Sequence, residues 1–159
     1  MTLPPRRSAF AALALAFLLA ACGKAPPPPP PPLTVTQVQD FVREFVAATN
    51  ARDATKITGM FARDADVSSV AYGEIVRGWD AIRKDIDEHI AAAPGAEFTF
   101  ATVSVHVLGT DLAVATAPFT VTLPVDGKPA QLKGAASMVV RRSAGQLLIV
   151  HDHYSLQHE

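Results

Sequence analysis

The hydrophobic period changes at Glu97, and that change constrains the fold more than any other feature of the chain. Before it, apolar residues recur at the i, i+3, i+4, i+7 spacing of helices. After it, they alternate with polar ones, as on half-buried strands. Residues 34–50 place Val38, Phe41, Val42, Phe45 and Val46 on one helical face, and either Thr34 with Gln37 or Thr36 with Gln39 fits a capping box. Asp53 caps a second short helix through Phe61, with Ile57, Met60 and Phe61 as its apolar face. Residues 64–69 read as a loop into a short strand, and residues 72–77 as another strand. A third helix then covers residues 79–92, with Trp79, Ile82, Ile86 and Ile90 on one side and Pro94-Gly95 as its stop.

From residue 98 to 108, Val103, Val105 and Val107 alternate against Thr102, Ser104 and His106. Long strands follow over residues 111–124 and 131–142. The turns are Asp126-Gly127 and residues 143–145, and the last strand is QLLIVHDHYSL, residues 146–156. Helices first and antiparallel strands afterwards imply an α+β fold, with helices covering one face of a curled sheet.

The last strand carries the densest chemistry. Strict alternation puts Leu147, Ile149, His151, His153 and Ser155 on one face and Leu148, Val150, Asp152 and Tyr154 on the other. On this reading the strand enters a pocket through its histidines. Asp152 cannot orient either imidazole unless the strand bulges. His106 joins from another strand, and three histidines would suit a zinc site. The competing and preferred reading is a metal-free set of hydrogen-bonding histidines, with no cofactor. His151 and His153 are the acid-base candidates. Tyr72 and Trp79 are the aromatic candidates for a pocket mouth, with a core anchor the favoured role for Trp79.

The N-terminus speaks to location. Arg6 and Arg7 precede an apolar run over residues 9–20, too short for a span of roughly 20 residues and arranged as an export signal. Residues 19–22, Leu-Ala-Ala-Cys, resemble a bacterial lipobox. That resemblance implies a signal peptide over residues 1–21, lipidation of Cys22 and membrane attachment through it. Gly23 in place of aspartate implies the periplasmic face of the outer membrane. Cys22 is the sole cysteine, so no intrachain disulfide competes for it. Seven consecutive prolines, Pro26 to Pro32, complete a tether over residues 22–32, a polyproline II spacer of roughly 20 Å. Residues 33–159 form one domain. The leader holds Arg6, Arg7 and Lys24 and no acid, so the domain carries 11 of the 14 basic and all 15 acidic side chains, a net −4. Nucleic acid is excluded as a partner on charge and compartment.

The order helix, helix, hairpin, helix, four strands resembles the nuclear transport factor 2-like fold, and within it the SnoaL-like group. The stretches that carry the resemblance are FVREFVAATNARD (residues 41–53), MFARDADV (60–67), GWDAI (78–82) and IVHDHYS (149–155). It implies a cone-like curled antiparallel sheet, covered by about three N-terminal helices and enclosing a ligand pocket. Some members are isomerases, cyclases or dehydratases, and many are non-catalytic. Ketosteroid isomerases of this fold place a tyrosine on the first helix and a carboxylate after the second; the matching positions are Phe45 and Ser69, which supply neither part. An arginine common in the third long strand is also missing, since Ala135 and Ala136 precede Ser137, which disfavours an anionic ligand.

These readings together predict a lipid-anchored cell-envelope domain that is a non-catalytic small-molecule-binding or association module. Its pocket would be lined by Tyr72, Trp79, His106, His151, His153 and Ser155. The resemblance also implies a homodimer through the outer sheet face, where Val121, Leu123, Met138, Val140, Leu148 and Val150 would otherwise leave hydrocarbon in water. The alternative is a hydratase, cyclase or isomerase-like enzyme using His151 or His153.

Overall fold

A computed structural model describes residues 31–157. The signal segment, Cys22 and the prolines up to residue 30 lie outside the described residues.

Helix α1 spans Val35–Asn50 and is capped by Thr34. The Thr34 hydroxyl accepts from the Gln37 amide while the Gln37 side chain takes the Thr34 amide, so the first of the two candidate capping boxes forms. Gln39 instead donates to the Val103 carbonyl, 3.0 Å away. Val38, Phe41, Val42, Phe45 and Ala48 are the buried stripe of α1. Each large side chain there contributes about 1.5–3 kcal/mol of burial. Helix α2 (Ala54–Gly59) begins at Asp53, whose carboxylate accepts from the Lys56 amide, and ends two residues earlier than the sequence suggested. Helix α3 (Trp79–Ala92) follows Gly78, as read. Arg52 caps α3 from outside, donating to the carbonyls of Ile90 and Ala93 and meeting the negative end of its dipole.

Seven strands form one sheet: β1 (Ser68–Ala71), β2 (Glu74–Arg77), β3 (Glu97–Phe100), β4 (Ser104–Val107), β5 (Leu112–Val125), β6 (Lys128–Ser143) and β7 (Gln146–Leu156). The order is β2-β1-β7-β6-β5-β3, with β4 also on β5. Three hairpins turn on two residues with positive φ: Tyr72-Gly73, Asp126-Gly127 and Ala144-Gly145, the backbone signature of type I′ turns. Two expectations need correction. The sheet is mixed, because β1 runs parallel to β7. The single strand expected over residues 98–108 is two, since residues 101–103 break the ladder between pairings with the two halves of β5. The valine alternation holds, with Val103, Val105 and Val107 against the core and Ser104 and His106 exposed.

The helices cover the inner sheet face, where Ala113, Ala115, Met138, Val140 and Ile149 meet Val38, Phe41, Val42 and Phe61. Met138 and Val140 are fully buried there, and Val121, Leu123, Leu148 and Val150 are partly buried. Of the hydrocarbon assigned from sequence to an interface between copies, Met138 and Val140 are used inside one copy.

Candidate functional site

One irregularity in β7 decides what faces the interior. Val139 pairs with His151, but Val140 pairs with Ile149, so Val150 is an extra residue, a bulge. Parity reverses across it. Ile149 opposes the buried Val140, Asp152 opposes the buried Met138, and Tyr154 opposes the buried Ala136. Asp152 and Tyr154 thus point inward with Ile149, while His151, His153 and Ser155 point outward. The expected pocket strand has the opposite sense: its carboxylate and phenol go in and its histidines go out.

The outward residues have their own surroundings. His151 Nδ1 lies 2.9 Å from the Ser68 hydroxyl on the neighbouring strand. His153 and Ser155 line a shallow outer groove of about 390 Å³ with Thr102, Ser104, Thr116 and Ser137. His106 is on the same face but pairs with Val114, with β6 and the rest of β5 between it and His153. Among the described residues no three His, Cys, Asp or Glu side chains converge as metal ligands. Trp79 sits at the start of α3, donating from Nε1 to the Thr58 carbonyl at 3.0 Å, with the Arg63 guanidinium 4.6 Å over its ring. It joins α3 to α2 and does not line the cavity described next.

The interior site is built from three elements. On β1, Ser69 is the register partner of Asp152 and Ala71 that of Tyr154, so these four side chains share one face. Helix α3 brings Asp85 and His89 over that face, and the β1–β2 hairpin brings Tyr72, Glu74 and Val76. Ser69, Ala71 and these hairpin and helix side chains line a cavity of about 240 Å³, and the buried Asp152 and half-buried Tyr154 lie beside it on β7 without lining it. The Tyr72 ring stacks on His89 at its mouth, centroids 6.2 Å apart and 20° from parallel. His89 Nδ1 lies 2.9 Å from the Asp85 carbonyl oxygen; a carbonyl only accepts, so this nitrogen carries the hydrogen. Of the six residues expected in the pocket, Tyr72 alone lines this cavity.

Asp152 is the anomaly of the molecule. It is 2% exposed, and its Oδ1 has no hydrogen-bond partner. Burial pushes its carboxyl up to about 6; the nearby Ser69 and Tyr154 hydroxyls oppose the rise, and the negative charge of Asp85 adds to it. Burial, and then the Asp152 charge, push the Tyr154 phenol well above its ordinary value, so it remains a donor. Phe98 and Phe119 meet the Tyr154 ring edge-on at 6.1 and 5.9 Å. Ser69, the position matched to an isomerase base, does face the cavity, beside Asp152. Phe45 lies in the core, edge-on to Phe61.

A larger open groove of about 640 Å³ runs between α1, α2 and the β6–β7 turn. Its charged lining, including Lys56 and Glu44 paired at 2.9 Å, is solvated. Strongly perturbed groups mark functional clefts better than volume does, and the smaller cavity lies next to them: Asp152 and Tyr154 are the register partners of its lining residues Ser69 and Ala71.

A family model of the SnoaL-like domain matches residues 38–159. The chain belongs to the SnoaL-like family. No curated protein sequence matches it. Among solved structures, this SnoaL-like domain is similar to a nuclear transport factor 2-like superfamily protein from Salmonella enterica serovar Typhimurium. The TM-score is 0.70 at 20% identity, over 78% of this chain and 91% of that one. A candidate dehydratase of the nuclear transport factor 2-like family from Streptomyces avermitilis gives 0.69 at 22% identity, over 77% and 95%. A candidate calcium/calmodulin-dependent protein kinase II association domain from Xanthomonas campestris gives 0.67 at 20% identity, over 77% and 87%. At these identities the likeness is one of fold, and the fold spans both an enzyme description and an association description.

Proposed function

We propose that this SnoaL-like domain binds a small organic molecule in the cavity between the β1–β2 hairpin and α3, on a chain tethered to a cell-envelope membrane through Cys22. The observation that carries the reading is Asp152. A buried carboxylate with an unpartnered oxygen costs folding energy, and such a group fits a site where a ligand supplies the missing partner. The Ser69 and Tyr154 hydroxyls lie near that carboxylate and favour its charged form, and the Tyr72–His89 stack covers the entrance. A volume of about 240 Å³ lies below the roughly 300–1,000 Å³ of drug-sized sites, so the ligand is small.

Native mass spectrometry of the purified full chain tests this directly. We expect an added organic mass that disappears on denaturation and is absent from Ala71→Phe, which fills the cavity. A mass retained in Ala71→Phe would place the ligand elsewhere. The tether has its own test. The full chain expressed in a lipoprotein-processing bacterium should partition into detergent, and Cys22→Ser should move it to the aqueous phase.

A second reading is acid-base catalysis, of the hydratase or cyclase kind, with Asp152 in place of the histidines. What favours it is a carboxyl titrating at about 6, near the operating pH of a general base. Turnover of the bound compound that is lost in Asp152→Asn would select it over binding.

A further inference from the structure

We infer that the cavity beneath the Tyr72–His89 stack takes a small organic cation, an amine or quaternary ammonium group. This inference rests on the binding reading above and adds the class of ligand.

Charge is the first argument. Glu74 and Asp85 line the cavity; no lysine or arginine does, and the one basic side chain there is His89, whose Nδ1 lies 3.4 Å from the Asp85 carboxylate. Asp152 stands directly behind Ser69, its register partner, on the same face of the sheet, and presents an oxygen that nothing in the protein satisfies. The negative charge of Asp85, on the cavity wall, adds a repulsion to the burial that disfavours the ionised Asp152 beside it. A neutral ligand would leave that repulsion in place. An anion would add to it, and a cation removes it.

The walls supply the second argument. Among the described residues no three potential metal ligands converge, so the carboxylates do not form a cage for a bare ion. Ala71, Val76 and the Tyr72 ring instead offer apolar and aromatic surface. Carboxylates behind an aromatic face are the usual way to hold an alkylated ammonium group, through its charge and through the negative face of the ring. Tyr72 is well placed for this. One face packs on His89, and the residue is 60% exposed at the mouth.

The experiment is an NMR titration of the purified full chain at pH 7.5, following the backbone amides of β1 and α3. Three probes of similar size are compared: tetramethylammonium, tert-butanol and acetate. Tetramethylammonium should bind at least tenfold more tightly than tert-butanol, and acetate should leave the amides unmoved. Asp85→Asn should weaken tetramethylammonium about tenfold with no change for tert-butanol. Tyr72→Ala should weaken it severalfold. Equal affinity for tetramethylammonium and tert-butanol would overturn the cation assignment and leave the cavity as a binding site. Shifts from none of the three, in a chain that also carries no bound mass, would overturn both.

Discussion

Replacing Asp152 with asparagine should stabilise the protein at pH 8 by about 2 kcal/mol and leave its stability nearly unchanged at pH 3. In the unfolded chain this carboxyl titrates near its ordinary 3.8; in the fold it titrates at about 6, chiefly because burial disfavours the charge. A carboxyl with a raised folded-state value favours folding while it is protonated. Its full contribution is therefore present below pH 3.8 and is lost as the pH rises through 6. The shift corresponds to about 3 kcal/mol at 1.4 kcal/mol per unit. Part of that gain is offset in the variant, because the new amide must also find partners among Ser69, Tyr154 and Asp85. Other carboxylates produce the opposite trend, so the quantity to measure is the difference between wild type and variant in urea at pH 3, 5, 7 and 8. That difference should open between pH 4 and 6 and then level off. A variant less stable than wild type at pH 8 would show that the carboxylate is an integral part of the fold. The sign bears on function, since a destabilising carboxylate buried beside a cavity fits a site where a ligand supplies its missing partner.

The architecture was legible because its signals are local and redundant. The apolar stripe of α1, the Thr34 box, the Asp53 cap and the Asp-Gly turn each act within a few residues, and all agree with one fold. The site was less legible for one physical reason. Side-chain direction on a strand depends on parity, and a single extra residue at Val150 inverts it for everything downstream. Nothing at Val150 announces a bulge, since valine is an ordinary strand residue. A partial signal was present in the composition of β7: an aspartate that follows the apolar run Leu147 to Val150 and precedes Tyr154 is either exposed or functional. The cavity's other groups come from two stretches distant from β7: Ser69 on β1, and Asp85 with His89 on α3. Their convergence depends on the parallel pairing of β1 with β7, which no local pattern encodes.

The same inner face makes Gly134 the least replaceable position in the sheet. Gly134→Ala should cost about 3 kcal/mol, the upper end for overpacking a core. Gly134→Val should yield insoluble protein. This glycine is not required by its backbone angles, as the turn glycines are; it is required by space. It sits between Phe119 on β5 and Leu156 on β7. A methyl group there would collide with the Ser155 carbonyl oxygen and lie 2.6 and 2.7 Å from the Phe119 ring carbons Cζ and Cε1. Neither neighbour can yield cheaply. The carbonyl is backbone within the β6–β7 ladder, and Phe119, 3% exposed, is held by Phe98 at 5.3 Å and Tyr154 at 5.9 Å. Denaturation of Gly134→Ala measures the cost, and a loss below 0.5 kcal/mol would mean that the ring moves freely. Phe119→Leu in the same chain should recover part of the loss by opening space over the new methyl group. The partial rescue should come with altered ligand binding, because the ring that shields Gly134 also packs edge-on against Tyr154, whose register partner Ala71 lines the cavity.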